Sequence, residues 1–295
     1  MTQRPNIPTF NQTKNSFIVF LIVSQINFSM TNKHYHFQLR REEMKPKSFN
    51  SVDDFSKVKV KDLVTQNFHA SELFEKLGID FCCNGNRPLR EALEEKQISN
   101  EKFLEELNKV NQSISSDNQR YSEWDLNFLA QYIVNNHHTY VKNAIPNIAT
   151  HLEKVFNAHG EKYSYISEVQ KEFRLVANEM ISHMAKEEKI LFPLIRYLVD
   201  TKNFSEKPKS GGYGTIKNPI RQMEAEHVSA GSAMEKIRAL TDNYSLPQDA
   251  CTTFQTTYKE LDEFEKDLHK HIHLENNILF PRAIELENIL VNETR

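Results

Sequence analysis

A histidine and a glutamate four residues apart on a helix share a face and can grip one metal ion, and this sequence writes such a pair twice. His183-Met184-Ala185-Lys186-Glu187-Glu188-Lys189-Ile190-Leu191-Phe192-Pro193 is echoed by His271-Ile272-His273-Leu274-Glu275-Asn276-Asn277-Ile278-Leu279-Phe280-Pro281. His183 and His271 stand 88 positions apart, as do Glu187 and Glu275, and His138 and His227 are separated by 89. The chain therefore reads as a duplicated unit, histidine followed by His-x-x-x-Glu. Imidazole and carboxylate donors suit divalent cations. A mixed nitrogen and oxygen set with positions left open fits iron better than structural zinc, which favours closed and often thiolate-rich tetrahedra.

The residues around these pairs say how they are positioned. Phe173, Val176, Met180, His183, Glu187 and Leu191 recur at steps of three and four, and so do Leu261, Phe264, Leu268, His271, Glu275 and Leu279. His138 lies in the row Val134, Val141, Ile145, Ile148, and His227 in the row Met223, Ala230, Met234, Ile237. These are core-facing helical stripes, with imidazoles and carboxylates where a bundle normally places Leu or Ile. Unpartnered, such a set costs more than the roughly 5–15 kcal/mol that holds a domain together. Two metal ions supply the missing counter-charge, and carboxylates on facing helices can bridge them.

The elements follow from the same pattern. Seven glycines and abundant Glu, Lys and Leu favour an all-α protein. Helix one spans about 124–157, with Pro146 set to bend or break it; helix two covers about 163–198. A polar connection containing Lys207-Pro208-Lys209-Ser210-Gly211-Gly212 leads to helix three, from Asn218-Pro219 to about Asp242, and helix four covers about 250–290. Pro193 and Pro281, each ten residues past a motif histidine, should kink or end their helices. Upstream, residues 53–111 form a small helical domain, the polar stretch 112–121 is a linker, and 122–292 is the bundle. Within the small domain Gly78 is placed to end a helix and Pro88 to begin one.

Net charge of −3 gives no general pull toward nucleic acid. Three cysteines, two of them adjacent, make a poor disulfide framework and point to a reducing compartment, the cytoplasm. Cys82 and Cys83 read as an exposed thiol pair able to take a metal, nitric oxide or an oxidant, against the alternative of two small buried residues. Cys251 reads as packing. Residues 1–52 form an extension whose apolar run Phe17–Val23 is too short to span a membrane and lacks a small-residue cleavage site. Met30 and Met44 offer alternative starts, so this stretch reads as an over-long start or a disordered tail.

Asn136-His137-His138-Thr139-Tyr140, His183-Met-Ala-Lys-Glu187-Glu188, Met223-Glu-Ala-Glu226-His227 and His271-Ile-His-Leu-Glu275-Asn276-Asn277 together resemble the Repair of Iron Centres family. These are iron–sulfur cluster repair proteins built on a hemerythrin-like di-iron bundle. Gly78-Ile79-Asp80-Phe81-Cys82-Cys83-Asn84-Gly85 resembles the family's small N-terminal domain. The resemblance covers about 55–290 and implies an up-down four-helix bundle preceded by that domain. It further implies two iron ions with His138, His183, His227 and His271 as terminal ligands and Glu187 and Glu275 as bridges. Oxygen-carrying hemerythrins use a further histidine, so four leave a more open coordination sphere. His137, His159 and His273 are rival ligands, although His137 and His273 point elsewhere on their helices; Glu188 and Glu226 line an approach to the metals; His34, His36, His69, His151 and His269 are ordinary surface residues. The implied partners are iron–sulfur proteins damaged by nitric oxide or oxidants, which the protein repairs by donating iron, and a second copy in a homodimer. Reduction of nitric oxide at the irons, and binding or sensing of dioxygen or nitric oxide, are the alternative activities.

Overall fold

The computed structural model describes Phe55 and residues 58–112, 120–204 and 214–292. The extension 1–52 with its apolar run, His34, His36, residues 113–119 and the Lys207–Gly212 connection lie outside the described residues.

Four short helices open the described chain: α1 (Val60–Gln66), α2 (Ala70–Leu77), α3 (Leu89–Glu95) and α4 (Asn100–Gln112). Phe55, Phe74, Phe81 and Phe103 are all fully buried and meet edge-on or tilted, with ring centres 5.6 to 6.4 Å apart. Gly78 ends α2 as the sequence implies. Its φ of 62° is the left-handed conformation that glycine adopts without strain, and Ile79 N–H reaches back to the Phe74 carbonyl at 2.9 Å. Pro88 stands one place earlier than expected, capping α3 rather than lying in its first turn. Between α2 and α3 the cysteine loop is tied by Asp80, whose carboxylate accepts the backbone N–H groups of Cys82, Cys83 and Asn84 at 2.8, 3.0 and 2.9 Å. Gly85 closes the loop, since a Cβ there would lie 2.3 Å from the Phe81 carbonyl oxygen.

Four long rods follow. The first is α5 (Leu126–Ile133), a π turn (Val134–His138) and α6 (Thr139–His159). The second is α7 (Ile166–Lys186), a π turn (Glu187–Leu191) and α8 (Phe192–Asn203). The third is α9 (Lys217–Leu240). The fourth is α10 (Thr252–Leu274), a π turn (Glu275–Leu279) and α11 (Phe280–Asn292). Asp125 starts the first rod by accepting the N–H groups of Asn127 and Phe128. Each rod packs on the next and the fourth closes on the first, giving the all-α up-down bundle.

The chain runs on through its helical prolines. Pro146 neither breaks nor ends α6, which is continuous from Thr139 to His159. Pro193 and Pro281 do not end their rods either. In each, a π turn comes just before the proline: Phe192 N–H reaches the Glu187 carbonyl and Phe280 N–H the Glu275 carbonyl, five residues back. The next residue is the proline, which has no N–H to place, so the ladder returns to α register without stranding a donor.

Apolar layers lie on both sides of the middle of the bundle. On one side Leu129, Ile133, Ile195, Ile220, Leu279 and Phe280 pack together; on the other Phe173 and Phe264 meet edge-on at 5.5 Å. Replacing Gly85 by Ala forces the cysteine loop off Phe81 and is expected to cost about 1–3 kcal/mol. Urea unfolding together with faster labelling of Cys83 by a thiol reagent checks this.

Candidate metal centre

All six stripe residues lie between these layers. His138, Glu187, His227, His271 and Glu275 are 0% exposed and His183 is 1%. They form two clusters, His138 with His271 and His183 with His227, and both clusters contain Glu187 and Glu275. Each carboxylate turns one oxygen to each cluster. Glu187 sets Oε2 3.3 Å from His138 Nε2 and Oε1 3.3 Å from His183 Nε2. Glu275 sets Oε1 3.1 Å from His271 Nε2 and Oε2 3.1 Å from His227 Nε2. The π turns aim these groups, as Glu187 and Glu275 each open one and His138 closes the third.

The far nitrogens fix the rings. His138 Nδ1 is 2.8 Å from Glu188, His183 Nδ1 is 2.9 Å from Glu226, and His227 Nδ1 is 2.8 Å from the side-chain oxygen of Asn276. A nitrogen facing a carboxylate or amide oxygen carries the proton, so in the neutral rings Nε2 presents its lone pair inward. His183 Nε2 and His227 Nε2 then point lone pairs at each other across 3.0 Å. Both oxygens of Glu187 and of Glu275, and Nε2 of His138 and His271, are buried without a hydrogen-bond donor or acceptor. Two anions and four converging lone pairs sealed from water need cations, and the donor set fits divalent metal ions. Phe192 stacks on His138 and Phe280 on His227, so the Phe of each repeated Ile-Leu-Phe-Pro walls in the histidine of the preceding rod.

Two family descriptions match the chain: Hemerythrin HHE cation binding domain over residues 129–283, and Domain of Unknown function (DUF542) over residues 56–111. The chain is 34% identical over 233 residues to the "Probable iron-sulfur cluster repair protein" of Haemophilus influenzae, covering 78% of this chain and 98% of that one. It is 34% identical to the "Iron-sulfur cluster repair protein YtfE" of Musicola paradisiaca over 74% of this chain and 92% of that one. It is 30% identical to the "Iron-sulfur cluster repair protein ScdA" of Staphylococcus haemolyticus over 75% and 95%. The chain belongs to the Repair of Iron Centres family. Its hemerythrin-like domain is of an iron-binding kind, and the buried His/Glu clusters lie within it.

In this family member the remaining polar residues either surround the centre or lie away from it. Glu188 and Glu226, both partly exposed, each hold a histidine and a lysine, Glu188 with Lys142 at 2.7 Å and Glu226 with Lys186 at 2.5 Å. A cleft of about 230 Å³, lined by Lys186 and Gln222 among others, lies beside Glu226. His137 and His273 are buried but turned away, His137 onto Asp267 at 2.9 Å and His273 onto Asn277 at 3.0 Å. Burial pushes the pKa of His273 down to about 4. His159 is remote, 3.2 Å from the Sγ of Cys251, and Cys251 is exposed rather than packed. His269 is only partly exposed, against Glu75 of α2 at 2.7 Å, and His151 pairs with Glu260 at 2.7 Å.

The thiols are not the exposed pair expected. Cys82 is buried and Cys83 partly so, with Sγ atoms 3.7 Å apart. The hydrogen bond to Cys83, burial and the nearby Asp80 carboxylate all push the Cys82 pKa up, so it is a thiol. Cys83 Sγ lies 3.8 Å from the His227 carbonyl, and Asn277 Nδ2 donates to the Phe81 and Cys82 carbonyls, so the loop rests on the rods that carry the centre. The acceptors Glu188 and Asn276 were signalled in the sequence: they are the same position of the two repeats, one past each motif glutamate.

Without metal, protons take the cations' place. Burial alone lowers the His183 pKa, but Glu187, with Glu275 and Glu226, outweighs it and raises it to about 9; His138 is likewise raised against its burial by Glu187. His271 is lowered by burial. A raised histidine stabilises the fold fully below its unfolded pKa of about 6.5, and that stabilisation is lost as pH climbs through its folded value. The lowered His271 acts mainly below that window. The metal-free protein is therefore expected to melt several degrees lower at pH 9 than at pH 6.5, while the iron-loaded protein, with deprotonated rings, does not follow this slope. Calorimetric scans of both forms check it.

Proposed function

We propose that the protein holds two iron ions side by side and donates iron to iron–sulfur proteins whose clusters nitric oxide or oxidants have damaged. In this reading Glu187 and Glu275 bridge the two positions, His138 and His271 complete one, and His183 and His227 the other. The observation that carries it is the sharing of both buried carboxylates by two histidine pairs, each carboxylate offering one oxygen to each pair. Four protein donors per ion leave coordination positions free, where a small ligand such as nitric oxide or dioxygen binds or from which an acceptor draws iron. The names of the relatives from Haemophilus influenzae, Musicola paradisiaca and Staphylococcus haemolyticus support cluster repair as the task.

What the chain's own groups do in this reading follows from their chemistry. Glu226 and Glu188 keep the outer nitrogens of His183 and His138 protonated, so the inner nitrogens remain donors. The phenylalanine walls exclude water from the histidines. Cys83, the more accessible thiol of the pair and in contact with the rod that carries His227, is the soft ligand that meets iron on its way to a damaged cluster, and buried Cys82 joins it only once its proton is lost. Three free cysteines support a reducing compartment, for which we take the cytoplasm. Among the described residues no helix is long and apolar enough to cross a membrane.

Protein purified without chelators is expected to carry two irons per chain, and a Glu187→Leu, Glu275→Leu double variant almost none. Incubated anaerobically with a cluster-depleted dehydratase, the loaded protein should restore activity faster than the double variant supplied with the same total iron. Equal recovery from both refutes donation from this site.

A further inference from the structure

The duplication makes the two metal positions comparable residue by residue, because each half of the sequence gives one histidine to each position. Exchanging the halves turns His138 into His227 and His271 into His183. The outer hydrogen bonds do not survive that exchange equally. His138 leans on Glu188 and its counterpart His227 on Asn276, which occupies the same place in the second repeat. His183 leans on Glu226, the residue just before His227. The matching residue, just before His138, is His137, and it cannot do for His271 what Glu226 does for His183. Its Nδ1 is committed to Asp267 at 2.9 Å, and its ring lies 10° from parallel with that of His271, with 5.6 Å between centres, so it offers a ring face and no acceptor. His271 Nδ1 is buried with no hydrogen-bond partner among the described residues.

We propose that the His138 and His271 position is the weaker half of the centre and gives up its iron first, because His137 stands where an acceptor for His271 would be. The inference rests on the two-iron reading above. An outer acceptor fixes the tautomer and orientation of a ligating imidazole and makes its inner nitrogen a better donor; losing one typically costs 10–100-fold in metal affinity. One position has a carboxylate and an amide behind its histidines, the other a carboxylate alone.

The test follows iron leaving protein loaded anaerobically with two equivalents of ferrous iron, in excess ferrous chelator. Two phases of one iron each are expected, differing about 10-fold or more in rate. Asn276→Ala, which strips the acceptor from His227, should speed the slow phase and leave the fast one. Asn276→Asp, which keeps an acceptor, should retain the slow phase, separating a lost hydrogen bond from a damaged fold. Glu188→Ala should speed the fast phase only. His137→Gln, which offers His271 an amide oxygen, should slow the fast phase toward the slow one. With ⁵⁷Fe, the half-released protein should show the Mössbauer signal of one remaining iron environment. Both irons leaving in a single phase overturns the inference. So does acceleration of the fast phase by Asn276→Ala, the order expected if escape through the cleft beside Lys186 and Gln222 governs release. A chain that never takes up two irons overturns the two-iron reading instead.

Discussion

Two carboxylates buried face to face in the middle of an apolar bundle are the constraint on which the rest depends. Glu187 and Glu275 are fully buried with no ordinary hydrogen-bond donor from the described residues, and four imidazoles close around them. Such a group is stable only when cations or protons occupy the space between, so metal binding and folding are one balance here. The same burial that makes the centre expensive also makes it selective. It strips ions of their hydration and pays them back with a fixed set of hard oxygens and borderline nitrogens.

The bundle reaches this arrangement by departing from ideal helix geometry at chosen places. A straight α-helix with His and Glu four apart puts both on one face, but the rod must also pass on to a Phe that packs against the neighbouring histidine and to a proline without an N–H. The π turns at Glu187 and Glu275 absorb the extra residue, and the following apolar half-rods keep their inward register. Outside the centre, lysines hold the acceptors in place: Lys142 on Glu188 and Lys186 on Glu226 keep each carboxylate anionic and aimed at its histidine.

The helical class and the inward direction of the six polar stripe residues were legible, because three- and four-residue periodicity is a direct image of helix geometry and the duplicated motif fixed the register. The π turns were not, since a five-residue turn needs no particular composition and Pro193 or Pro281 read equally well as an ordinary stop. Nor was the role of Asp267, and the shared repeat position that marked Glu188 and Asn276 did not say which ring each would meet. Their partners come from rods 40 or more positions distant in sequence, and only packing selects which outer nitrogen meets which oxygen. The partial cover over His269 was missed for the same reason, whereas burial of Cys82 stood as the alternative to an exposed thiol pair. His269 lies among Lys266, Asp267 and Lys270, and it is the docking of α2 on the fourth rod that brings Glu75 over it.

One asparagine joins two parts of this molecule that the chain order keeps far apart. Asn277, inside the π turn that Glu275 opens, holds the carbonyls of Phe81 and Cys82, while its neighbour Asn276 holds His227. The backbone that presents the thiols and the backbone that presents a central carboxylate are thus moored at a single turn, already the least regular stretch of its rod. Any chemistry that reshapes the cysteine loop tugs on that mooring, so the two reactive regions behave as parts of one mechanical unit.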